Sequence, residues 1–115
     1  MDQKSEKSRI LLVLSTFPDA ETARQIGTKL VEGQLAACVN VLPGVESIYR
    51  WKGAVETESE VLAIIKTTAS GLGQLKDSLS EWHPYDVPEI IALDVADGSA
   101  SYLEWVAANV AVSSE

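Results

Sequence analysis

Cysteine and histidine are nearly absent from this chain, which contains one of each, Cys38 and His83. A single thiol cannot form an internal disulfide, and it cannot supply the several thiolates of a structural zinc site. Cys38 lies in the apolar run Leu35–Val39, so a buried strand position is expected, because free cysteines are among the most buried residue types. A Ser-His-Asp or Cys-His catalytic arrangement would have to use His83.

Long apolar runs are also absent. The longest, such as Ile10–Leu14 and Val61–Ile65, are five residues long, whereas a helix needs roughly 20 residues to cross a bilayer. Residues 1–8 are polar and mixed in charge, and no signal-peptide core follows them. We therefore predict a flexible N-terminal tail over residues 1–8, a single domain over residues 9–112, and a cytoplasmic location.

Basic residues are few and scattered. Nine lysines and arginines stand against 17 aspartates and glutamates, which gives a net charge of −8. Nucleic acids and anionic membranes both need a positive footprint on the protein, so neither is expected as a partner. Small molecules, cations and other proteins all remain open as partners.

Apolar spacing along the chain predicts alternating strands and helices. The branched run over residues 9–16 predicts a strand covered on both faces. Helical spacing from Ala23 to Val31, with Asp19 placed as the cap, predicts a helix. Further strands are predicted at residues 35–51, 54–68 and 89–95, and further helices at 70–82 and after 99. This order predicts an α+β, ferredoxin-like βαββαβ fold with an extra C-terminal helix and two helices on one face of an antiparallel sheet.

The second and third strands form an unusually long hairpin across the turn Lys52-Gly53. Pro43-Gly44 interrupts the first arm and predicts a bend or bulge, because proline is tolerated in sheets chiefly at edges and bulges. Arms of this length are expected to protrude and to expose Tyr49 and Trp51, which favours an oligomer built through the hairpin. The alternative is a shorter hairpin that folds back over its own core and hides both rings.

Charged residues on the returning arm fall into two groups. Glu56, Glu58 and Glu60 share one face, because side chains alternate along a strand. They could bind a hard cation such as calcium, or they could form a solvated strand face. Lys66 follows the apolar run 61–65, where an unpaired ammonium is costly, so it is expected to reach a sheet end or to meet a carboxylate.

The segment His83–Glu89 concentrates the only histidine, two of the four prolines, a tyrosine and two carboxylates within seven residues. Loops on a rigid scaffold often carry function, so this segment could form a shaped site. It could equally be a corner, in which Pro84 ends a helix and Pro88 begins an edge strand while His83 fills the space between.

Five blocks of the chain resemble signature sequences of the CutA family. They are Leu35–Asn40, Ser47–Gly53, Ile65–Thr67, His83–Ile90 and Tyr102–Trp105. The resemblance runs from about Ile10 to Asn109. It implies a ferredoxin-like fold, a homotrimer assembled through the long hairpins and similar to PII signalling proteins, and a role in divalent-cation tolerance and the response to metal ions, with copper binding as the best-known proposal.

The same resemblance implies three metal ligands, a cysteine at the end of the first strand and two consecutive histidines before Pro-Tyr. Ser15 stands at the position of the cysteine and Trp82 at that of the first histidine, so only His83 remains. Serine and tryptophan do not replace the soft ligands that make a copper site. The prediction is therefore weak binding of copper or another divalent cation at His83, with Asp86 or Glu89 as partner ligands.

The resemblance to PII proteins gives a second hypothesis, a sensor that binds a small molecule or an anion in clefts between subunits. An apolar pocket with a few polar groups is typical of such sites, and the candidate cleft residues are Trp51, Glu60, Lys66, Tyr85, Glu89 and Trp105. An interface network of ion pairs is the alternative. Acylphosphatases share this fold, but their glycine-rich, arginine-bearing phosphate loop is missing here, and fold alone licenses no function. No enzymatic activity is predicted.

Overall fold

The computed structural model describes residues 9–112, and these form one four-stranded antiparallel sheet and three helices. In chain order the elements are β1 (Ile10–Phe17), α1 (Ala20–Glu32), β2 (Cys38–Trp51), β3 (Ala54–Thr68), α2 (Leu72–Trp82), β4 (Ile91–Asp94) and α3 (Ala100–Ala108). The strands are ordered β2-β3-β1-β4. The predicted α+β, ferredoxin-like fold is confirmed. The tail predicted over residues 1–8 lies outside the described residues.

The main core lies between one side of the sheet and the helices α1 and α2. Val13, Phe17 and Ile65 point to this side and are fully buried or nearly so, as strand alternation requires. The helices contribute Leu30, Leu75 and Leu79 at helical spacing, all in the same cluster.

Local signals fix the ends of both core helices. Asp19 caps α1 as predicted, because its Oδ1 accepts a hydrogen bond from the Thr22 amide at 2.7 Å. Helix α2 stops at Trp82, and His83 is already extended with φ −72° and ψ 139°. The residue before a proline is pushed out of helical geometry, so Pro84 places His83 at this corner.

Pro43-Gly44 forms a bulge in β2, as predicted. Leu42 pairs with Leu62, whereas Val45 pairs with Glu60, so two residues of β2 oppose one residue of β3. Gly44 has φ +84°, a conformation that favours glycine. Beyond the bulge, odd-numbered residues of β2 occupy the side that even-numbered residues occupied before it. Tyr49 and Trp51 therefore lie on the same side of the sheet as Leu42.

The hairpin protrudes beyond the rest of the sheet. The pairing of β1 with β3 ends at Phe17 and Val61, so Val45–Trp51 and Ala54–Glu60 pair only with each other. These seven-residue arms extend about 23 Å at the usual rise per residue. Tyr49 is 39% exposed and Trp51 is 48% exposed, so the hairpin does not fold back to hide the rings.

The side of the sheet away from α1 and α2 is largely uncovered. Helix α3 covers only one end of the domain, where Val106 and Val110 pack against Ile10. Strand alternation places the following apolar residues on the uncovered side, which we call the open face: Leu12, Leu14, Leu42, Leu62, Ile64, Ile91 and Leu93. Ile91 and Leu93 are 48% and 45% exposed. No helix among residues 9–112 is long and apolar enough to span a bilayer.

Ser15 gives a test of the core. Its side chain is fully buried, and its Oγ has no hydrogen-bond partner among residues 9–112. An unpaired buried hydroxyl is unfavourable, so Ser15→Ala is expected to raise the free energy of unfolding by up to about 1 kcal/mol in denaturant titrations. Thr67→Val is the matched control, because Thr67 is equally buried but donates to the Leu35 carbonyl oxygen at 2.8 Å. That change should lower the free energy of unfolding by about 1 kcal/mol. Destabilisation by Ser15→Ala of the same size would contradict this account.

Candidate functional site

His83 is held at the end of β1. Its ring stacks on Phe17 with centroids 4.6 Å apart, and the residue is 7% exposed. The Nε2 atom lies 2.8 Å from the carbonyl oxygen of Thr16, and the backbone N–H of Tyr85 donates to Nδ1 at 3.1 Å. A carbonyl oxygen only accepts, so Nε2 carries the proton, whereas Nδ1 accepts and is unprotonated. These contacts assign the neutral Nε2–H tautomer.

This setting determines how His83 meets protons and metal ions. Burial lowers the pKa of His83, outweighing the hydrogen bond to Thr16 and the negative charge of Glu60, which raise it. A metal ion binds an imidazole nitrogen through its lone pair, and the only lone pair of this tautomer accepts the Tyr85 amide. A metal could bind only after one of the two hydrogen bonds breaks. The role of His83 as a ligand stays a prediction.

Tyr85 connects the segment His83–Glu89 to the hairpin. Its hydroxyl donates to Glu60 Oε2 at 2.7 Å, a charge-assisted hydrogen bond. Burial, followed by this hydrogen bond and the charge of Glu60, raises the pKa of Tyr85 well above its ordinary value. The hydroxyl therefore remains protonated and keeps Glu60 as its acceptor.

A groove of about 550 Å³ lies between the segment His83–Glu89 and the hairpin, and we call it the hairpin groove. Four of the six predicted cleft residues line it, namely Trp51, Glu60, Tyr85 and Glu89. Tyr49, Glu58 and Asp86 line it as well. The groove is therefore aromatic and acidic.

Lys66 and Trp105 lie elsewhere in the subunit. Lys66 is six residues from Glu60 on β3, about 20 Å away along the strand. It pairs with Cys38, the first residue of β2, and thus reaches the end of the sheet. Its ammonium lies 3.8 Å from Cys38 Sγ and 5.7 Å from the centroid of the Tyr102 ring. Trp105 packs against Tyr102 on α3 with centroids 5.6 Å apart. One cleft that holds all six residues would need a second subunit, and it stays a prediction.

The described residues contain no preformed metal cluster. Among residues 9–112, no three histidine, cysteine, aspartate or glutamate side chains gather into a group able to hold a metal ion. Glu56, Glu58 and Glu60 share one face of β3 as predicted, but they are spread over about 13 Å. The arrangement fits the solvated strand face better than a calcium site.

The resemblance implies metal ligands at the positions of Trp82 and Ser15, but both side chains have other roles. The Trp82 ring receives the ammonium of Lys29 at 4.3 Å from its centroid, a cation–π contact that joins α2 to α1. Ser15 is fully buried on the side of the sheet that faces the helices. Neither residue offers a soft ligand.

Several site residues are not identified by the sequence alone. Tyr49 and Glu58 both line the groove. The sequence predicts only that Tyr49 is exposed and that Glu58 lies on an acidic strand face. The bulge at Gly44 is the signal that could have placed Tyr49 opposite Glu56 and beside Glu58. Thr16 gives no such signal, because its backbone oxygen makes the contact with His83.

The fold and the groove define the class of protein as a ferredoxin-like α+β domain with an extended hairpin. Comparison with known proteins refines this class. A family model described as "CutA1 divalent ion tolerance protein" matches residues 11–109. The chain belongs to this family.

Individual relatives cover most of the chain. The divalent-cation tolerance protein CutA of Thermus thermophilus is 49% identical over 98 residues, which are 85% of this chain and 95% of that protein. The chloroplastic protein CutA of Arabidopsis thaliana is 43% identical over 106 residues, 92% of this chain and 58% of that protein. The solved structure of the Thermus thermophilus divalent cation tolerance protein superposes with a TM-score of 0.87 at 47% identity, covering 89% of this chain and 99% of that one.

The setting of His83 predicts the pH dependence of stability. Because the pKa is lowered on folding, the unfolded chain binds more protons below the ordinary histidine value of about 6.5. The contribution of His83 to stability is fully present above about pH 6.5, declines as the pH falls toward the lowered pKa, and is lost below it. The ring resonance of this single histidine, followed by NMR, should titrate with a midpoint below 6.5.

His83→Asn supplies the control, because it keeps a polar side chain and removes the titration. The carboxylates are the same in both proteins, so the difference between their stability–pH curves isolates the imidazole. A midpoint at or above the ordinary value, or identical curves for the two proteins, would contradict the assigned burial and tautomer.

Proposed function

We propose that this protein is a non-enzymatic homotrimer that contributes to divalent-cation tolerance by binding a divalent cation, such as copper, weakly. Membership of the CutA1 family over residues 11–109 carries this proposal. Relatives over most of the chain are named for divalent-cation tolerance, and that role is transferred to this chain here.

The proposed site is His83 with Asp86 or Glu89. Imidazole is the softest ligand on this side of the domain and the one that copper prefers. Both carboxylates line the groove beside it. Binding is weak in this proposal because the ion has to displace the Tyr85 amide from Nδ1, and because Ser15 and Trp82 replace the other two implied ligands.

Two features support association into an oligomer. The open face leaves Ile91 and Leu93 about half exposed, and large exposed apolar patches commonly mark protein–protein contacts. The hairpin adds Tyr49 and Trp51 on the same side of the sheet. A trimer is the assembly that the family resemblance implies, and closed symmetric assemblies are common among soluble proteins.

The absence of catalysis is part of the proposal. The two nitrogens of His83 contact backbone atoms of Thr16 and Tyr85, rather than a hydroxyl or thiol that they could activate. Ser15 Oγ is buried without a partner among the described residues. The cytoplasmic location also stays a prediction, and two relatives are named chloroplastic.

A second candidate function is a PII-like sensor of a small molecule. The hairpin groove supports it, because its volume of about 550 Å³ falls within the range typical of small-molecule sites. An anionic ligand fits this groove poorly, since Glu60 and Glu89 line it. Lys66, the cation expected in the cleft, lies at the other end of the sheet.

The metal role is tested by copper titration of the wild type and of His83→Ala. Loss of the imidazole should weaken copper binding by about tenfold or more. Asp86→Asn and Glu89→Gln should weaken it less, and Asp77→Asn, on the exposed side of α2, serves as the control. Unchanged binding by a folded His83→Ala protein would remove His83 as a ligand.

The assembly is tested by sedimentation. Leu93→Glu places a charge on the open face, where burial of an unpaired carboxylate is costly. It should shift the protein from trimer to monomer at low micromolar concentration. Ser80→Glu, on the exposed face of α2, is the matched control and should leave the trimer intact. A wild-type protein that sediments as a monomer would overturn the assembly.

A further inference from the structure

Tyr85 makes three contacts that together enclose the imidazole of His83. Its backbone N–H donates to His83 Nδ1 at 3.1 Å, and its ring packs against the imidazole at a tilt, with centroids 4.9 Å apart. Its hydroxyl donates to Glu60 Oε2 at 2.7 Å, on a strand 25 positions away in the chain. We call these three contacts the Tyr85 latch. All of them lie within one subunit, so the latch does not need the hairpin groove to be free of a neighbouring subunit.

The backbone of the segment that carries Tyr85 is held by little else. Among residues 9–112, no backbone–backbone hydrogen bond involves residues 84–89, which lie between α2 and β4. In this described part of the chain, the hydrogen bonds of residues 84–89 are those that Tyr85 makes to His83 and Glu60. The Tyr85 latch therefore determines where the segment lies.

The other nitrogen of His83 is bound to a rigid element. Nε2 donates to the carbonyl oxygen of Thr16 at 2.8 Å, and Thr16 lies in β1, where it pairs with Leu62 of β3. Ligation through Nε2 would require the ring proton to move to Nδ1, where it would face the N–H of Tyr85, so both hydrogen bonds would be lost. Ligation through Nδ1 costs only the hydrogen bond from Tyr85. Nδ1 is therefore the nitrogen that can be freed, and Tyr85 is the residue that has to move.

The hydroxyl of Tyr85 opposes that movement. Its hydrogen bond to the Glu60 carboxylate belongs to the strong, charge-assisted class. A tyrosine side chain turns about only two bonds, so withdrawal of its backbone from Nδ1 displaces the hydroxyl from Glu60 as well. The free energy of that hydrogen bond is then subtracted from the free energy of metal binding at His83. Asp86, a proposed partner ligand, follows Tyr85 directly and moves with it.

We propose that the hydrogen bond between Tyr85 and Glu60 keeps His83 closed to metal ions, and that it breaks when Nδ1 becomes a metal ligand. This inference rests on the metal role proposed above and names what regulates its site. A carboxylate near a cation site ordinarily strengthens binding through its charge, whereas Glu60 weakens binding by holding Tyr85. By linkage, a metal ion bound at His83 weakens the Tyr85–Glu60 contact by the same factor.

Copper titration of the full chain tests the direction of the effect. Tyr85→Phe keeps the ring and the amide and removes only the hydroxyl. It should tighten copper binding by about tenfold, which corresponds to one charge-assisted hydrogen bond. Unchanged or weaker binding by Tyr85→Phe would overturn the inference.

Two carboxylate variants form a matched pair. Glu60→Ala and Glu58→Ala each remove one negative charge from the same face of β3, but only Glu60 accepts the hydrogen bond from Tyr85. Glu60→Ala should therefore bind copper more tightly than Glu58→Ala does. Equal affinities of the two variants would contradict the latch.

Removal of the imidazole gives the second control. In a His83→Ala background, Tyr85→Phe should leave copper binding unchanged, because the latch acts only on His83. Equal tightening in both backgrounds would assign the effect to the freed Glu60 carboxylate and overturn the inference.

Zinc identifies the nitrogen that binds, because it is diamagnetic and also accepts imidazole ligands. NMR of the imidazole nitrogens should show zinc on Nδ1 with Nε2 still protonated, together with a shift of the Tyr85 amide signal. Zinc on Nε2 would show that the Tyr85 amide is not the contact that yields, and would overturn the inference.

These outcomes are separable from failure of the metal role. Wild-type copper binding that depends on His83 but is not tightened by Tyr85→Phe removes only the latch. Binding that depends on His83 in Tyr85→Phe, with none in the wild type, removes the metal role and supports the latch. Absence of such binding from both proteins overturns both. Thermal melting and sedimentation of each variant show that fold and assembly are unchanged before affinities are compared.

Discussion

The unequal lengths of β1 and β3 control the shape of this protein. β3 pairs with β1 from Thr68 to Val61 and then continues to Ala54 with β2 alone. The first part lies over the core helices, and the second part extends beyond them. One continuous strand thus contributes both to the interior of the domain and to its projecting surface, and the groove lies where the two parts meet.

That meeting point is held by backbone contacts as much as by side chains. His83 bridges the carbonyl oxygen of Thr16 and the amide of Tyr85, and Tyr85 in turn reaches Glu60. The chain of contacts runs from β1 through the loop to the hairpin. A partly buried network of this kind favours one arrangement because each of these polar groups has a partner. The imidazole is thereby used as a structural connector, which explains why a residue so prominent in the sequence offers so little free surface to a metal ion.

Much of the fold was predictable because its signals are local. Apolar spacing located the strands and helices, Asp19 and Pro84 marked helix ends, and Pro43-Gly44 marked the bulge. Contacts between distant residues were not predictable in the same way. His83 and Thr16 are 67 positions apart, and a backbone oxygen leaves no mark in a side-chain pattern. Lys66 illustrates the opposite case, a predicted contact that the subunit does not make. The sequence suggested one cleft for Lys66 and Glu60, but the two residues are about 20 Å apart along β3.

The bulge at Gly44 has a consequence for how such a surface can change over time. Two residues of β2 oppose one residue of β3 here, so loss of either Pro43 or Gly44 alone would restore one-to-one pairing and leave Val45–Trp51 on their present side. Loss of both residues would instead move every later residue of β2 one place along β3 and to the opposite side, because strand alternation has a period of two. Arg50 would then stand opposite Glu56, where Tyr49 now stands, and a guanidinium group would replace an aromatic ring. The core strands would keep their pairing. One two-residue deletion, rather than a series of substitutions, could therefore convert the chemistry of this groove while the domain beneath it stays the same.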